Sequence, residues 1–398
     1  MQRKPWGTMV GVRPSKQLHK LLDAGLAYEE AYASMHAQYQ ISEEKFALLW
    51  HVCQKERLIM QESSRPDLFS VYVGIPFCPT RCLYCSFPSH SLAELGKLRS
   101  PFVESLLAEI AETGKLAAGL GLKPYTVYLG GGTPTSLAPA ELAAVLFALR
   151  EAFPGRWREL TVEAGRPDTI TEEHLECMRR FGVDRISINP QSMHDKTLAI
   201  IGRKHSSEDI RQAVAMVRRA GIPVLNMDLI LGLPEENTDM VAESVSQTMA
   251  LEPENITVHT FSRKRASRYN LESTAYNLPG TDEIIAMQKT AYELLATRYE
   301  PYYLYRQRDI LGGLENTGFA IPGHECIYNV VMIEERHHIL GLGGGATSKI
   351  INPDLTLQNI ATPKDVRMYL ERLPQLLTKR SAALRAALTR QHKGIPEP

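Results

Sequence analysis

Residues 70–85 read SVYVGIPFCPTRCLYC, a short apolar run followed at once by three cysteines. The first six residues are mostly β-branched or aromatic and predict a buried strand. Cys78, Cys82 and Cys85 then form a CxxxCxxC motif on the loop after that strand. Three thiolates on one short loop can ligate three irons of a [4Fe–4S] cluster, which leaves the fourth iron without a protein ligand. Structural zinc commonly takes four ligands from spaced CxxC pairs, and His90 is the available fourth ligand for that alternative.

Comparable strand-like runs recur along the chain with helical stretches between them, at 125–129, 160–163, 184–188, 223–230 and 255–261. Strands that alternate with helices predict right-handed βαβ units and a parallel sheet, an α/β fold. Six such units predict a partial (β/α)6 barrel with a lateral opening, whereas a complete barrel has eight. A doubly wound open sheet is the competing architecture. In a barrel, the loops that follow the strands meet at one face, where active sites lie.

The flanking segments have different patterns. Residues 1–66 have apolar residues at helical spacing and predict a helical N-terminal extension. Residues 67–275 hold the barrel pattern, and residues 276–398 predict a smaller α+β region that covers the substrate. Within it, the basic segment 380–398 is expected to fray.

Composition narrows the class of protein. The chain has 398 residues, with 45 Lys+Arg against 45 Asp+Glu. A neutral chain is not expected to have nucleic acid as its main partner. No run approaches the roughly 20 apolar residues of a membrane span, and no apolar signal segment follows Met1, so a cytoplasmic protein is expected. Six cysteines are too few for a disulfide scaffold, and Cys53, Cys177 and Cys326 are predicted to be buried apolar side chains.

A second motif accompanies the cysteines. Gly130-Gly-Gly-Thr-Pro134 follows the second predicted strand, and Tyr84 precedes the third cysteine. Together these features resemble the radical S-adenosylmethionine (radical SAM) superfamily. The resemblance implies a [4Fe–4S] cluster on Cys78, Cys82 and Cys85. It also implies that SAM binds the open iron and is cleaved by one-electron reduction to methionine and a 5′-deoxyadenosyl radical.

Further motifs occur in order and resemble the oxygen-independent coproporphyrinogen III oxidase group. They are Tyr72–Cys78, Leu129–Thr135, Glu163, Ser187–Ser192, Gly202-Arg203 and Asp228–Pro234. Tyr305–Ile310 and Gly318–Glu325 resemble the branch called coproporphyrinogen dehydrogenase. The resemblance implies a tetrapyrrole substrate, the conversion of two propionates to vinyl groups, and an electron donor that the sequence does not identify.

The resemblance also implies which residues bind SAM. Tyr72, Gly131 and Glu163 match positions that contact the cluster-bound SAM. A second set matches positions that surround a second SAM in the porphyrinogen oxidases: Tyr84, Gly132, Thr133, Gln191, Arg203, Asp228 and Ser262. A substrate with four carboxylates needs cationic anchors, and the candidates are the run Arg263-Lys264-Arg265, Arg306 and Arg308.

One position departs from the family pattern. The oxidases carry another cysteine two positions after the third, and here that position is Phe87. Phenylalanine at this position occurs in heme chaperones and class C methyltransferases. Two alternatives therefore stay open beside the oxidase, a heme-binding trafficking protein and a SAM-dependent methyltransferase. His324 and Cys326 are candidate heme ligands, although a buried structural role is the simpler interpretation of both.

Overall fold

A computed structural model describes residues 5–11, 13–85, 87, 89–263, 277–352, 354 and 356–393. Its strands are β1 (Leu68–Ile75), β2 (Phe77–Cys78), β3 (His90–Ser91), β4 (Lys123–Gly131), β5 (Glu159–Glu163), β6 (Arg185–Ser187), β7 (Val224–Leu231), β8 (Asn255–Thr260), β9 (Glu300–Tyr305), β10 (Asn316–Ala320), β11 (His338–Gly343), β12 (Thr347–Ile351) and β13 (Leu357–Ala361).

The helices are α1 (Ser15–Asp23), α2 (Tyr28–Tyr39), α3 (Glu43–Ser63), α4 (Leu92–Leu95), α5 (Arg99–Gly119), α6 (Pro139–Ala152), α7 (Glu172–Arg180), α8 (Asp195–Ile200), α9 (Ser207–Ala220), α10 (Thr238–Ala250), α11 (Thr281–Leu295), α12 (Ile327–Glu334) and α13 (Val366–Lys393). Among the residues described, no helix has the length and apolar character needed to cross a membrane.

The centre of the fold is a row of parallel strands in chain order, β1-β4-β5-β6-β7-β8. A doubly wound sheet reverses its strand order at a switch point, and these six strands show no reversal. The prediction of a partial (β/α)6 barrel is therefore confirmed. Since the strands are parallel, the residues that follow each strand meet at one face of the barrel.

The C-terminal third of the chain extends the same sheet at both edges, which the sequence pattern did not predict. β11 pairs in parallel with β1, and β12 and β13 continue outward as antiparallel strands. At the other edge, β10 pairs antiparallel with β8 and β9 closes the row, so the sheet has 11 strands. Covering the edges of the six-stranded core protects the backbone groups that an edge strand leaves unpaired.

Burial explains why β1 forms where the sequence predicts it. Phe69, Val71, Val73 and Ile75 alternate along the strand and are fully buried in the main apolar core. Residues of one parity point to one face of a strand, so this face packs against the helices that cover the sheet.

The N-terminal helices are held to the C-terminal third by buried polar contacts. The Trp6 indole donates a hydrogen bond to Glu315 at 2.7 Å, and the Lys45 ammonium lies 2.7 Å from the same carboxylate. The apolar cluster of these helices includes Leu304 of β9. The helical character predicted for residues 1–66 is thus observed, whereas the three-part domain division remains a prediction.

The expectation of a frayed tail from residue 380 is wrong for its first part. Arg380 lies in α13 with 1% of its surface exposed, and its guanidinium pairs with the buried Glu109 of α5 at 2.5 Å. The same Glu109 carboxylate accepts hydrogen bonds from the Tyr369 hydroxyl and from the Gly343 amide of β11, at 2.5 and 2.7 Å. Glu109 therefore ties α13 and β11 to α5.

We predict that Arg380→Ala lowers the free energy of unfolding by about 3–5 kcal/mol, because it leaves a buried carboxylate without its cation. Urea unfolding measures this change. The control is Lys115→Ala, which breaks an exposed pair with Glu112 and should cost less than about 1 kcal/mol. Equal small losses in both variants would contradict the structural role assigned to Arg380.

Candidate active site

The predicted cysteine motif lies on the loop that follows β1. β2 and β3 pair in parallel, with Phe77 opposite His90 and Cys78 opposite Ser91, so this pairing holds the ends of the loop together. Inside the loop, the Leu83 amide donates to the Ile201 carbonyl at 3.0 Å. None of the three cysteines is in a disulfide, and all three line one cavity.

The spacing of the thiols helps to distinguish a [4Fe–4S] cluster site from a site for a single zinc ion. Sulfur ligands 2.3 Å from one tetrahedral zinc ion lie roughly 4 Å apart. In the part of the chain that the structure describes, Cys78, Cys82 and Cys85 do not form a group whose ligand atoms all lie within 4.8 Å of one another. His90 instead places its Nε2 3.1 Å from the Lys364 carbonyl. The loop therefore favours a multi-metal cluster over a single ion.

The environment of the thiols is buried and includes one cation that the sequence pattern did not identify. Burial raises the pKa of Cys78 to about 11 and also raises the pKa of Cys85, so ligation must displace thiol protons. The Arg166 Nη1 lies 3.7 Å from the Cys82 sulfur, and Asp168 holds this guanidinium with contacts of 2.9 and 2.8 Å. Arg166 lies three residues after the end of β5. A position just after a barrel strand is the sequence signal by which it could have been predicted as a site residue.

The glycine motif lies directly against the cysteine loop. The Gly132 amide donates to the Ile75 carbonyl at 2.7 Å, and the Thr133 amide donates to the Phe77 carbonyl at 2.9 Å. A Cβ on Gly132 would lie 2.4 Å from the Phe77 oxygen and 3.0 Å from the Cys78 sulfur. Any residue larger than glycine would therefore displace this loop.

Glu163 ends β5 and faces the cavity beside the glycine motif. The Tyr128 hydroxyl and the Gly131 amide both donate hydrogen bonds to its carboxylate. Burial, together with the nearby Asp228 carboxylate, raises the pKa of Glu163 from its ordinary 4.5 to about 7. Near neutral pH this group thus exists in both its proton-donating and its accepting form.

Arg203 and Gln191 bring buried polar atoms to the cavity wall. The Arg203 guanidinium donates to the Tyr84 hydroxyl at 2.7 Å and to the Gly165 carbonyl at 2.8 Å. The Arg203 Nε and the Gln191 Oε1 are buried without a hydrogen-bond partner. Buried polar atoms are usually paired, so these two atoms fit a bound polar ligand.

Asp228 belongs to a chain of polar side chains on β7, β8 and β9. The Asn226 amide donates to Asp228 at 2.8 Å, and His259 Nε2 lies 3.5 Å from its other oxygen. The Tyr305 hydroxyl lies 3.3 Å from His259 Nδ1. The supporting residues Asn226, His259 and Tyr305 were not predicted as site residues. Asn226 and His259 occupy strand positions outside the quoted motifs, and Tyr305 begins a motif to which no site role was given.

All of the predicted site residues line the same cavity of about 680 Å³, at the C-terminal face of the barrel. They are Cys78, Cys82, Cys85, Tyr72, Tyr84, Gly131, Gly132, Thr133, Glu163, Gln191, Arg203, Asp228 and Ser262. Stacked tyrosines form one wall: the Tyr128 and Tyr328 ring centroids are 4.5 Å apart, and Tyr72 lies about 6 Å from both. Such a wall suits a flat, apolar ligand.

The predicted substrate anchors are not brought together in the same way. Arg308 is exposed, and its carbonyl accepts a hydrogen bond from the Ser262 hydroxyl at 2.6 Å. Arg306 lines the cavity, but its guanidinium donates to the backbone carbonyls of Met9 and Gly313 at 2.7 and 3.0 Å. Arg263 is exposed, while Lys264 and Arg265 lie outside the described residues.

Besides Arg166, two further cations of the cavity wall were not predicted. Arg13 and Lys349 line the cavity, and both contact the Glu335 carboxylate, at 2.9 and 2.7 Å. Burial lowers the pKa of Lys349 to about 8. They come from opposite ends of the chain, so no local pattern could have joined them.

The candidate heme ligands lie at the other end of the strands. His324 lines a second cavity of about 290 Å³ with Glu159 and Arg185, the first residues of β5 and β6. Cys326 is 3% exposed, and its thiol lies 3.4 Å from Glu159. Phe87, which replaces the additional cysteine of the oxidases, is 58% exposed beside the cysteine loop.

We predict that Glu163→Gln changes how stability depends on pH. Since the folded state raises this pKa from 4.5 to about 7, the folded chain holds a proton that the unfolded chain releases. Stability therefore falls as the pH rises through that window. The variant lacks this loss, so its unfolding free energy relative to the parent should rise between pH 4.5 and 7, by at most about 3 kcal/mol.

Urea unfolding of the cofactor-free chain at a series of pH values measures this difference, and the exposed Glu176→Gln serves as control. A pH-independent difference would contradict the shifted pKa.

The comparisons with known proteins agree with this geometry. The family model for the radical SAM superfamily matches residues 72–247. The chain is 42% identical over 373 residues to the oxygen-independent coproporphyrinogen-III oxidase-like protein HemZ of Bacillus subtilis (strain 168), a match that covers 92% of this chain and 74% of that protein. It is 28% identical over 305 residues to the heme chaperone HemW of Escherichia coli (strain K12), covering 76% of this chain and 75% of that protein.

A solved structure shares the fold. Coproporphyrinogen III oxidase (HemN) from Escherichia coli, a radical SAM enzyme, superimposes with a TM-score of 0.63 at 22% identity, over 80% of this chain and 72% of that chain. Because the similarity to HemZ extends over most of both chains, this chain belongs to the radical SAM superfamily, in the oxygen-independent coproporphyrinogen III oxidase group.

Proposed function

We propose that this protein converts two propionate side chains of coproporphyrinogen III to vinyl groups without oxygen. The observation that carries the proposal is the convergence of the cysteine loop, the glycine motif and a tyrosine wall on one cavity of about 680 Å³. Membership of a family whose relatives are named for this reaction supports the same conclusion.

The residues present fit the cofactors of the superfamily, a [4Fe–4S] cluster and SAM. Cys78, Cys82 and Cys85 would ligate the cluster, since their thiols are free, share one loop and do not all lie within 4.8 Å of one another. Tyr72, Gly131 and Glu163 would hold the SAM bound to it. When bound and reduced, the two cofactors supply a carbon radical that can remove a hydrogen atom from an unactivated carbon.

A second set of residues would hold a second SAM across the cavity: Tyr84, Gly132, Thr133, Gln191, Arg203, Asp228 and Ser262. The unpartnered Gln191 Oε1 and Arg203 Nε support this assignment, because a polar ligand there would satisfy both. Glu163 and Asp228 provide carboxylate oxygens that can accept hydrogen bonds from ribose hydroxyls. Tyr128 and Asn226 orient these carboxylates.

The substrate is an apolar macrocycle with four carboxylates. Tyr72, Tyr128 and Tyr328 offer an aromatic face to the ring, and Arg13 and Lys349 offer cations to its carboxylates. Each propionate loses one hydrogen atom from its β-carbon, one electron and CO2, and a vinyl group remains. The electron needed to cleave SAM comes from a donor that is still to be identified.

We predict that replacing Cys78, Cys82 or Cys85 singly by Ala removes cluster iron and abolishes SAM cleavage, because no other cysteine of the loop can replace the lost ligand. Iron content and the release of 5′-deoxyadenosine after anaerobic reconstitution measure the effect. Cys177→Ala is the control, since that buried thiol belongs to α7 and does not line the cavity. Full cleavage in any of the three variants would refute the cluster assignment.

The substrate assignment predicts a defined product. The reconstituted protein, supplied with dithionite, SAM and coproporphyrinogen III, should yield a product that has lost one CO2 and two hydrogens twice, as mass spectrometry measures. Tyr328→Ala should raise the substrate KM about two- to tenfold, because an aromatic contact is worth about 0.5–1.5 kcal/mol.

Tyr328→Phe is the matched variant and should keep the parent KM, since it retains the ring. Unchanged coproporphyrinogen together with stoichiometric heme binding would replace the oxidase with the heme chaperone function. A product that gains a methyl group would replace it with methyl transfer.

A further inference from the structure

A second group of metal-ligating side chains lies outside the cavity, beneath the N-terminal helices. His19 of α1 and Cys53 and Glu56 of α3 are all fully buried, and their ligand atoms all lie within 4.8 Å of one another. Among the residues that the structure describes, no other group of three His, Cys, Asp or Glu side chains meets this distance. None of these residues lines the cavity described above.

A second carboxylate next to this group is the fourth candidate ligand. Glu334, the last residue of α12, is 2% exposed, and its Oε2 lies 3.5 Å from His19 Nε2. The Glu56 Oε2 lies 2.9 Å from the same nitrogen. Four potential ligands therefore come from three helices: one imidazole, one thiol and two carboxylates.

The protein alone does not satisfy the polar atoms of this group. Glu56 Oε1, Glu334 Oε2 and His19 Nδ1 are buried and make no hydrogen bond. Leaving buried carboxylate oxygens unpaired is costly, and a structure normally pairs them or binds an ion there. The unpaired oxygens point to a missing cation.

We infer that His19, Cys53, Glu56 and Glu334 bind one divalent transition-metal ion, of which Zn²⁺ fits the ligand set best. Zinc takes nitrogen at about 2.0 Å, oxygen at about 2.0–2.2 Å and sulfur at about 2.3 Å in a tetrahedron. Neighbouring ligand atoms then lie roughly 3.3–3.6 Å apart by that geometry. The observed separations of 2.9 and 3.5 Å around His19 Nε2 are near this range. Glu334 lies outside the 4.8 Å group of the other three ligands, so its side chain must rotate toward Cys53 and Glu56 to complete the tetrahedron.

The surrounding charges suit such an ion. A thiolate and two carboxylates exceed the charge of Zn²⁺ by one, and the guanidiniums of Arg57 and Arg336 act electrostatically on His19. Both guanidiniums are held nearby by Asp23 at the end of α1, at 2.7 and 2.8 Å. The ion would join α1, α3 and α12 and is structural, since the site is closed and has four protein ligands.

A network without an ion is the competing arrangement. There, Glu56 and Glu334 would be protonated and His19 neutral. A neutral glutamic acid and a glutamine have nearly the same size and polarity, so Glu56→Gln would change little in that case. In a metal site the same change removes an anionic ligand, and the metal affinity should fall more than tenfold.

The test measures zinc and iron together in the anaerobically purified full chain by mass spectrometry of the elements. We expect about one zinc per chain in the parent and in Cys177→Ser, and loss of zinc in Cys53→Ser and Glu56→Gln with iron retained. Zinc should also remain when Cys78, Cys82 and Cys85 are all replaced by Ala, because the two sites are separate. Substitution by Co²⁺ should give a thiolate-to-metal absorption band that Cys53→Ser loses and Cys177→Ser keeps.

Two results would overturn the inference. One is a parent chain without zinc even after equilibration with Zn²⁺. The other is equal zinc in the parent and in Glu56→Gln. If Cys53→Ser does not fold, Glu56→Gln decides the question. Since neither zinc result depends on the tetrapyrrole reaction, failure of this inference leaves the proposed function unaffected, and the reverse also holds.

Discussion

The close approach of two backbone segments controls the rest of the site. The amides of Gly132 and Thr133 donate to carbonyls of Ile75 and Phe77, so the end of β4 lies directly against the start of the cysteine loop. A side chain at residue 132 would enter the space of the Cys78 sulfur. This steric constraint fixes where the thiols lie relative to Glu163, and it places the proposed cluster ligands and the proposed SAM-binding residues on one surface.

The local patterns were sufficient to predict the barrel and its motifs. Each of the six parallel strands is a short apolar run that a helix separates from the next, and most of the motifs lie at or just after the end of a strand. The edge strands could not be predicted, because the pairing of β11 with β1 joins residues far apart in the chain and depends on a tertiary surface. For the same reason, the burial of Arg380 could not be predicted: its partner Glu109 is distant in sequence.

The same difference between local motifs and long-range contacts applies to the site residues. Residues that would touch a cofactor belong to motifs and were found, whereas the residues that orient them were not. Tyr128 and Asn226 support Glu163 and Asp228 from ordinary strand positions. Arg306 shows the opposite case: its charge made it a candidate anchor, and three backbone carbonyls, including one of the N-terminal segment, accept hydrogen bonds from its guanidinium. Charge alone therefore does not distinguish a structural arginine from a binding one.

The pairing of β1 with β11 also has a consequence for biosynthesis. The outer edge of β1 finds its partner only after residues 338–343 leave the ribosome. At about 5–20 residues per second, the intervening chain takes on the order of ten to fifty seconds to synthesise. During that interval Gly344, whose amide later bonds the Gly74 carbonyl, is not yet present beside the cysteine loop. The strand that leads into the cysteine loop therefore completes its backbone hydrogen bonding only late in synthesis.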